Sequence, residues 1–448
     1  MRTSQRRTVA ALLIGVVIIG SPFALASATP QILAETVSEA MVPIRQAMNA
    51  AALGLHSVSP EDRHVNAQVL VNLFEGDQGD LYDAAYAGIV DLPGGLLAHL
   101  APLDSASREA GDAVDLAIED YGSLLRMAND GIRSIVNGGA TEDAADDAFL
   151  TAFVFLSRAY ADFQELLRDW EVEIWVRAGE SIQSAIDRAW TGATLRIEPG
   201  VYRETLEISE SVTLTGVGDG IVIQPVSEQD GILIRSPEDA RVHVLNLAIR
   251  GADSGIRVLG VASCTLEDLE ITGCQIGLQV HELAKVTLTG GRFAKNETAV
   301  HASGYGEARI SDSHAEGSLD ASGAVIASES SSLRLERTIV EKSAGNGILG
   351  IHHGTFSLVG CTVTSNASDG IVLTESATLQ IVGTESSSNG GFGLRAIGVD
   401  CPDEIIAPID PFTGRIDGRD NDLGDEAEGT ANGSGPFCPG DLGFLVRD

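Results

Sequence analysis

The stretch whose reading decides the fold is Gly255 to Ala302, GIRVLGVASCTLEDLEITGCQIGLQVHELAKVTLTGGRFAKNETAVHA. Gly255-Ile256, Gly277-Leu278 and Ala299-Val300 each set a small residue before an apolar one. Outward along the chain the same pairing recurs as Gly231-Ile232, Gly323-Ala324, Gly347-Ile348, Gly370-Ile371 and Gly393-Leu394, at spacings of 22 to 24 residues. A period this short, carried by β-branched residues and turn formers, predicts strand-rich coils stacked into a solenoid.

Two further apolar pairs recur inside each coil. The second runs through Val242/Val244, Cys264/Leu266, Val286/Leu288, Ala308/Ile310, Leu333/Leu335, Phe356/Leu358 and Leu379/Ile381. The third runs through Leu247/Ile249, Leu269/Ile271, Gly291/Phe293, Ser313/Ala315, Thr338/Val340, Cys361/Val363 and Thr384/Ser386. Three strands per coil, each alternating inward and outward, give three parallel sheets around one core. Just beyond the third strand comes a small or polar column: Ala252, Cys274, Asn296, Ser318, Ser343, Asn366 and Asn389. Stacked Asn and Ser there can bond the backbone of neighbouring coils at a tight bend. Asn296, Asn366 and Asn432 also fall in glycosylation-like sequons, and burial in the ladder is the expected fate of the first two.

Upstream, helical spacing governs Ile32 through Leu55, Val65 to Phe74, Val114 to Val136 and Phe149 to Leu167. Ser59-Pro60-Glu61-Asp62 and Thr141-Glu142-Asp143 are start signals, with a capping hydroxyl and acidic first turns. Gly76 and Gly138-Gly139 are stops. Four or five helices with short connections predict an antiparallel bundle. Helical periodicity ends near Trp170, and strands begin at Val172-Glu173-Ile174-Trp175-Val176.

The first 28 residues read as a secretory signal: Arg2, Arg6 and Arg7, an apolar run from Val9 to Ile19, then Ala26-Ser27-Ala28 at the cleavage positions. A run that short does not span a bilayer, so a secreted or periplasmic protein is expected. The chain holds 29 Lys+Arg against 64 Asp+Glu, a net charge of −35. Nucleic acid is excluded as a partner on that balance. Of five cysteines, Cys264, Cys274 and Cys361 fall in interior columns, whereas Cys401 and Cys438 lie in the tail, where a bridge would contribute about 3 to 4 kcal/mol.

Ile182-Gln183-Ser184-Ala185-Ile186-Asp187, followed by Ile197-Glu198-Pro199-Gly200-Val201-Tyr202-Arg203-Glu204, resembles the opening segment of right-handed parallel β-helix proteins of the pectin-lyase-like superfamily. It is most similar to the domain named for the periplasmic copper-related NosD and to the carbohydrate-binding and sugar-hydrolysis type. The resemblance covers roughly residues 172 to 400 and implies the fold. It also implies carbohydrate ligands or periplasmic metal (copper) handling as functions to weigh.

The expected fold is therefore multidomain, α and β: a signal peptide over 1–28, an α-helical bundle over 29–170, a right-handed parallel β-helix of three sheets over 171–400, and an irregular acidic cap over 401–448. In-register coils place outward residues of the third strand side by side. Glu270, Arg292, His314, Glu316 and Glu341 are thereby expected to share one patch, two carboxylates beside an imidazole being a set that could cleave a glycosidic bond. On the first strand the outward residues include Arg235, Arg257, Gln279, His281, His301 and Arg395, and His352 and His353 lie nearby. Asp417, Asp420, Asp422 and Asp425, interspersed with Gly and Asn, offer oxygen ligands suited to calcium.

The absences weigh against an enzyme. Polygalacturonase-like enzymes of the resembled fold carry adjacent aspartates and Gly-His-Gly on their coils, whereas here Asp146-Asp147 lies in the helical region and Gly-His-Gly is missing. The aspartate cluster of pectate lyases and the motif set of pectin methylesterases are missing too. The leading expectation is an exported, non-catalytic binder of an extended ligand, a polysaccharide or a cell-envelope partner. A divergent polysaccharide lyase or glycoside hydrolase using the charged patch, and copper handling, are the alternatives.

Overall fold

A computed structural model describes residues 30–86, 95–99, 121–169, 172–226, 228–236, 240–398, 412–424 and 431–438. The expected signal segment lies outside them. The chain divides into two compact units, one built from residues up to Val172 and the other from Glu173 onward, with Asp187–Thr191 belonging to the first.

In the first unit, helices α1 (Pro30–His56), α2 (Pro60–Glu75), α3 (Tyr121–Val136) and α4 (Glu142–Asp169) pack through small and apolar side chains. Ala40, Ile44, Phe74, Ile132, Phe149 and Phe163 are buried. The start of α2 is as read: the Ser59 hydroxyl accepts from the Asp62 N–H at 3.0 Å, and Gly76 ends the helix at φ 64°. Gln68 and Asn72, spaced four apart on α2, are buried because they clamp the following loop, donating to the carbonyls of Leu81 and Asp83 at 2.6 and 2.7 Å. No described helix is long and apolar enough to cross a membrane.

The second unit is the solenoid. Its strands form three parallel sheets of 11, 10 and 9 strands, each strand pairing with its counterpart one coil away. The interior columns are buried as the alternation demands, from Val242/Val244 through Leu379/Ile381 and from Leu247/Ile249 through Thr384/Ser386. Glycine at the start of the 10-stranded sheet's strands answers to a close approach. A Cβ on Gly255 or Gly370 would meet the carbonyl oxygen of Gly277 or Gly393 on the next coil at 2.6 or 2.7 Å.

One coil departs from the sequence register. Val325, not Ala324, pairs with Val300 and Ile348, so the small residue of that coil is Ala324 and the repeat had slipped by one at Gly323. The bend between Ala315 and Val325 holds nine residues against six in the coil before it and seven in the coil after it, which glycine spacing alone conceals.

The polar column forms the expected ladder. The Asn296 carboxamide accepts from the Cys274 N–H at 2.9 Å and donates to Ile271 O at 3.0 Å. Asn366 accepts from Ser343 N–H at 3.0 Å, and Asn389 from Asn366 N–H at 3.1 Å. Asn432 continues the stack, accepting from Asn389 N–H at 2.9 Å. The described residues of the tail add regular strands to the coils. Arg415–Arg419 adds a strand to the 11-stranded sheet and Gly435–Cys438 one to the 10-stranded sheet, and Leu423 is buried. Leu379 pairs with Ile416, well beyond the 22 to 24 residues of the earlier coils, so this last coil escapes a search at that period. Cys438 is disulfide-bonded and the three interior cysteines are free. Cys401, its expected partner, lies outside the described residues.

Candidate functional site

The 9-stranded sheet presents the patch read from the third strand. Glu270 pairs in register with Arg292, Arg292 with His314, and Ala294 with Glu316, which in turn pairs with Glu341. Three members converge. His314, Glu316 and Glu341 each offer a nitrogen or oxygen atom within 4.8 Å of the others. His314 Nε2 stands 3.2 Å from Glu341 Oε1. Arg292 reaches Glu316 only at 3.9 Å, and Glu270 turns aside to Arg250 at 3.7 Å.

Between the two carboxylates lies a residue that column counting missed. Lys342 Nζ donates to Glu316 Oε1 at 3.0 Å and to Glu341 Oε1 at 2.9 Å. Lys342 sits in the left-handed corner after the strand, at φ 55°, in line with Lys295, Ser365 and Ser388. A two-residue periodicity ends with the strand, so a corner side chain that folds back over the face is invisible to it. The ammonium holds the Glu316 carboxyl below its ordinary range, mainly by their hydrogen bond, and the two carboxylates hold Lys342 above its own.

The 11-stranded sheet carries a second surface. Along its middle outward column, successive coils contribute Thr213, His243, Thr265, Thr287, Arg309, Arg334, Ser357 and Gln380, all in register. Over these eight coils the column itself holds no carboxylate; it runs on to Asp417 at one end and, through Thr194, to Glu173 at the other, and Glu267 of the neighbouring outward column lies 3.1 Å from His243. Arg309 and Arg334 are directly opposed on adjacent coils. Arg334 is paired with Glu336 beside it, whereas Arg309 is exposed and has no ion-pair partner among the described residues. Like charges directly opposite destabilise a sheet. At the other end of the lane, a shallow depression of about 380 Å³ is lined by Thr213, Arg241, His243, Thr265, Lys285 and Thr287. The signal for this lane was present in the sequence: the second strand's outward residues follow from the same register that exposed the third strand's.

The remaining candidates scatter. Asp417 pairs with Arg415 at 2.6 Å, Asp420 with Arg419 at 3.8 Å, and Asp422 accepts from Gly424 N–H at 2.9 Å. Asp417 lies within a strand, which spreads the side chains instead of folding them around an ion, and Asp425 lies outside the described residues. Among the described residues Asp417, Asp420 and Asp422 do not converge as a group of three carboxylate ligands. His281 and His301 turn to Ser303 and Ser328 at 2.8 and 3.1 Å, and burial pushes the His301 imidazole down. Burial pushes the Cys264 thiol up to about 12, as suits an inert core residue.

These coils define the class: a parallel β-helix of three sheets, preceded by a helical region. Residues 230–394 match the family model described as right handed beta helix region. Among solved structures, the A-module of the mannuronan C-5 epimerase AlgE4 of Azotobacter vinelandii is similar, with a TM-score of 0.31 and 14% identity, covering 54% of this chain and 90% of that one. No curated protein matches the chain.

Proposed function

We propose that this protein is an exported binder of an extended acidic polysaccharide, which lies along the outer face of the 11-stranded sheet. The observation that carries the reading is the polar and basic column from Thr213 to Gln380, in which Arg309, without an ion-pair partner among the described residues, stands directly opposite Arg334. Hydroxyls, an imidazole and guanidinium groups repeating every ~4.8 Å suit a polymer with repeating hydroxyl and carboxylate groups. Long-range steering by the net charge opposes such a ligand, so selectivity rests on local contacts. Export is supported by the Arg2-to-Ala28 leader pattern.

Within the charged patch of the 9-stranded sheet, Glu316 is poorly suited to act as the acid that cleaves a glycosidic bond. That chemistry needs one carboxyl raised so that it carries a proton, and Glu316 is pushed the other way. Binding without turnover is the reading the side chains favour.

The test is affinity electrophoresis of the mature protein through gels containing polyuronates of graded length or a neutral glucan. Retardation is expected with polyuronate only, rising with chain length until the oligomer spans roughly 34 Å, seven coil spacings. Equal retardation by the neutral polymer, or none by either, overturns the proposal.

A further inference from the structure

The cluster of His314, Glu316, Glu341 and Lys342 lies on a different sheet from the proposed polymer lane, and its chemistry points elsewhere. We infer that it is a binding site for a divalent transition ion of the zinc class, held by His314 Nε2 and one oxygen each of Glu316 and Glu341. Lys342 is the cation that occupies this position when the ion is away.

Three observations support this. The three ligand atoms already lie within 4.8 Å of one another. Ligands of one tetrahedral ion with bonds of about 2.0 to 2.2 Å stand about 3.4 Å apart, and His314 Nε2 and Glu341 Oε1 are 3.2 Å apart. The set has the form of an open zinc site, three protein ligands with the next position free for water.

The ligand types select among ions. An imidazole beside two carboxylates suits borderline transition ions, whereas calcium and magnesium prefer all-oxygen shells. Placement also fits. His314, Glu316 and Glu341 come from two neighbouring strands whose register is fixed by backbone pairing, so only side-chain torsions need adjust. All three are partly accessible, which leaves an entry path.

Lys342 makes the inference sharp. Its ammonium lies 2.9 to 3.0 Å from both carboxylates, so a positive charge is already favoured at that point. The side chain is 56% exposed and can swing into solvent at small cost. An arriving ion would replace it, exchanging a single charge for a double one between the same carboxylates. Lys342 is then a competitor of the metal, and its removal should strengthen binding. A purely structural ion-pair cluster has no such property.

The experiment is a titration of the mature, disulfide-intact protein with Zn²⁺ against a chromophoric chelator, alongside Co²⁺ absorption spectra. The wild type is expected to take one equivalent. Lys342→Ala should bind about tenfold more tightly, the scale of removing one nearby competing charge. His314→Ala and Glu341→Gln should lose that equivalent, and the cobalt ligand-field bands with it. Comparable melting of the variants, each altering an accessible side chain, confirms that loss of metal is not loss of fold. No equivalent in either wild type or Lys342→Ala overturns the inference. So does an equivalent kept at unchanged affinity in His314→Ala, which would place the ion at other histidines. Failure here leaves the polymer reading intact, because none of these residues lies on the 11-stranded sheet.

Discussion

The asparagine ladder and the arginine-bearing lane are built by the same register yet treat their repeating positions in opposite ways. At the buried bend, Asn366 and Asn389 donate and accept within one stack, and each neighbour closes the bonds of the last. On the outer face of the 11-stranded sheet, Arg309 and Arg334 are stacked at the same coil spacing, Arg334 answered by Glu336 and Arg309 by no ion-pair partner among the described residues. Repetition inside is self-satisfying, and repetition outside leaves an unmet demand. An inward position is therefore tied to the fold, whereas an outward one can change with little cost to it and is open to a ligand.

The sharpest way to break this contrast is from inside. Gly370→Val would drive side-chain atoms into the Gly393 carbonyl and Ser386, and a cost of about 3 kcal/mol or more is expected by urea unfolding. Asn366→Ala orphans the Ser343 N–H and its bond to Asn389. About 2 to 3 kcal/mol is expected there, measured in the same way. The interior cysteines give a second probe. Cys264, Cys274 and Cys361 should be silent towards a thiol reagent at pH 8 in the native protein and yield three equivalents on denaturation.

Outer-face effects are smaller. The Asp312 carboxyl is held low by its hydrogen bonds to Arg337, as Glu316 is by Lys342. With folded values below unfolded ones, their contribution is complete above the ordinary carboxyl range near pH 4 and is lost as pH falls through the folded values. A modest fall in the urea midpoint below about pH 4 is expected, blunted in Arg337→Ala. Smallest of all, Glu341→Gln should shift the melting temperature by less than about 2 °C.

Much of the solenoid was legible because strand alternation and coil period are both short-range signals. Pairings such as Glu270 with Arg292 and Glu316 with Glu341 could be written down from the period alone. What escaped were the longer bend before Val325, the last coil through Arg415–Arg419 and Gly435–Cys438, and Lys342, whose corner keeps the coil period but lies beyond the strand's two-residue alternation. Composition suggested a loop, but backbone pairing with Thr378–Val382 drew Asp417 into a strand.

The most direct test of the contrast takes one variant and two readouts. In the double substitution Arg309→Ala/Arg334→Ala, thermal stability and affinity for a polyuronate are measured side by side. The expected result is an unchanged or slightly raised melting temperature, since opposed charges are removed, together with at least tenfold weaker polymer binding. A melting temperature lowered by many degrees with polymer affinity intact would contradict the account, because it would make the lane part of the fold and not of the function.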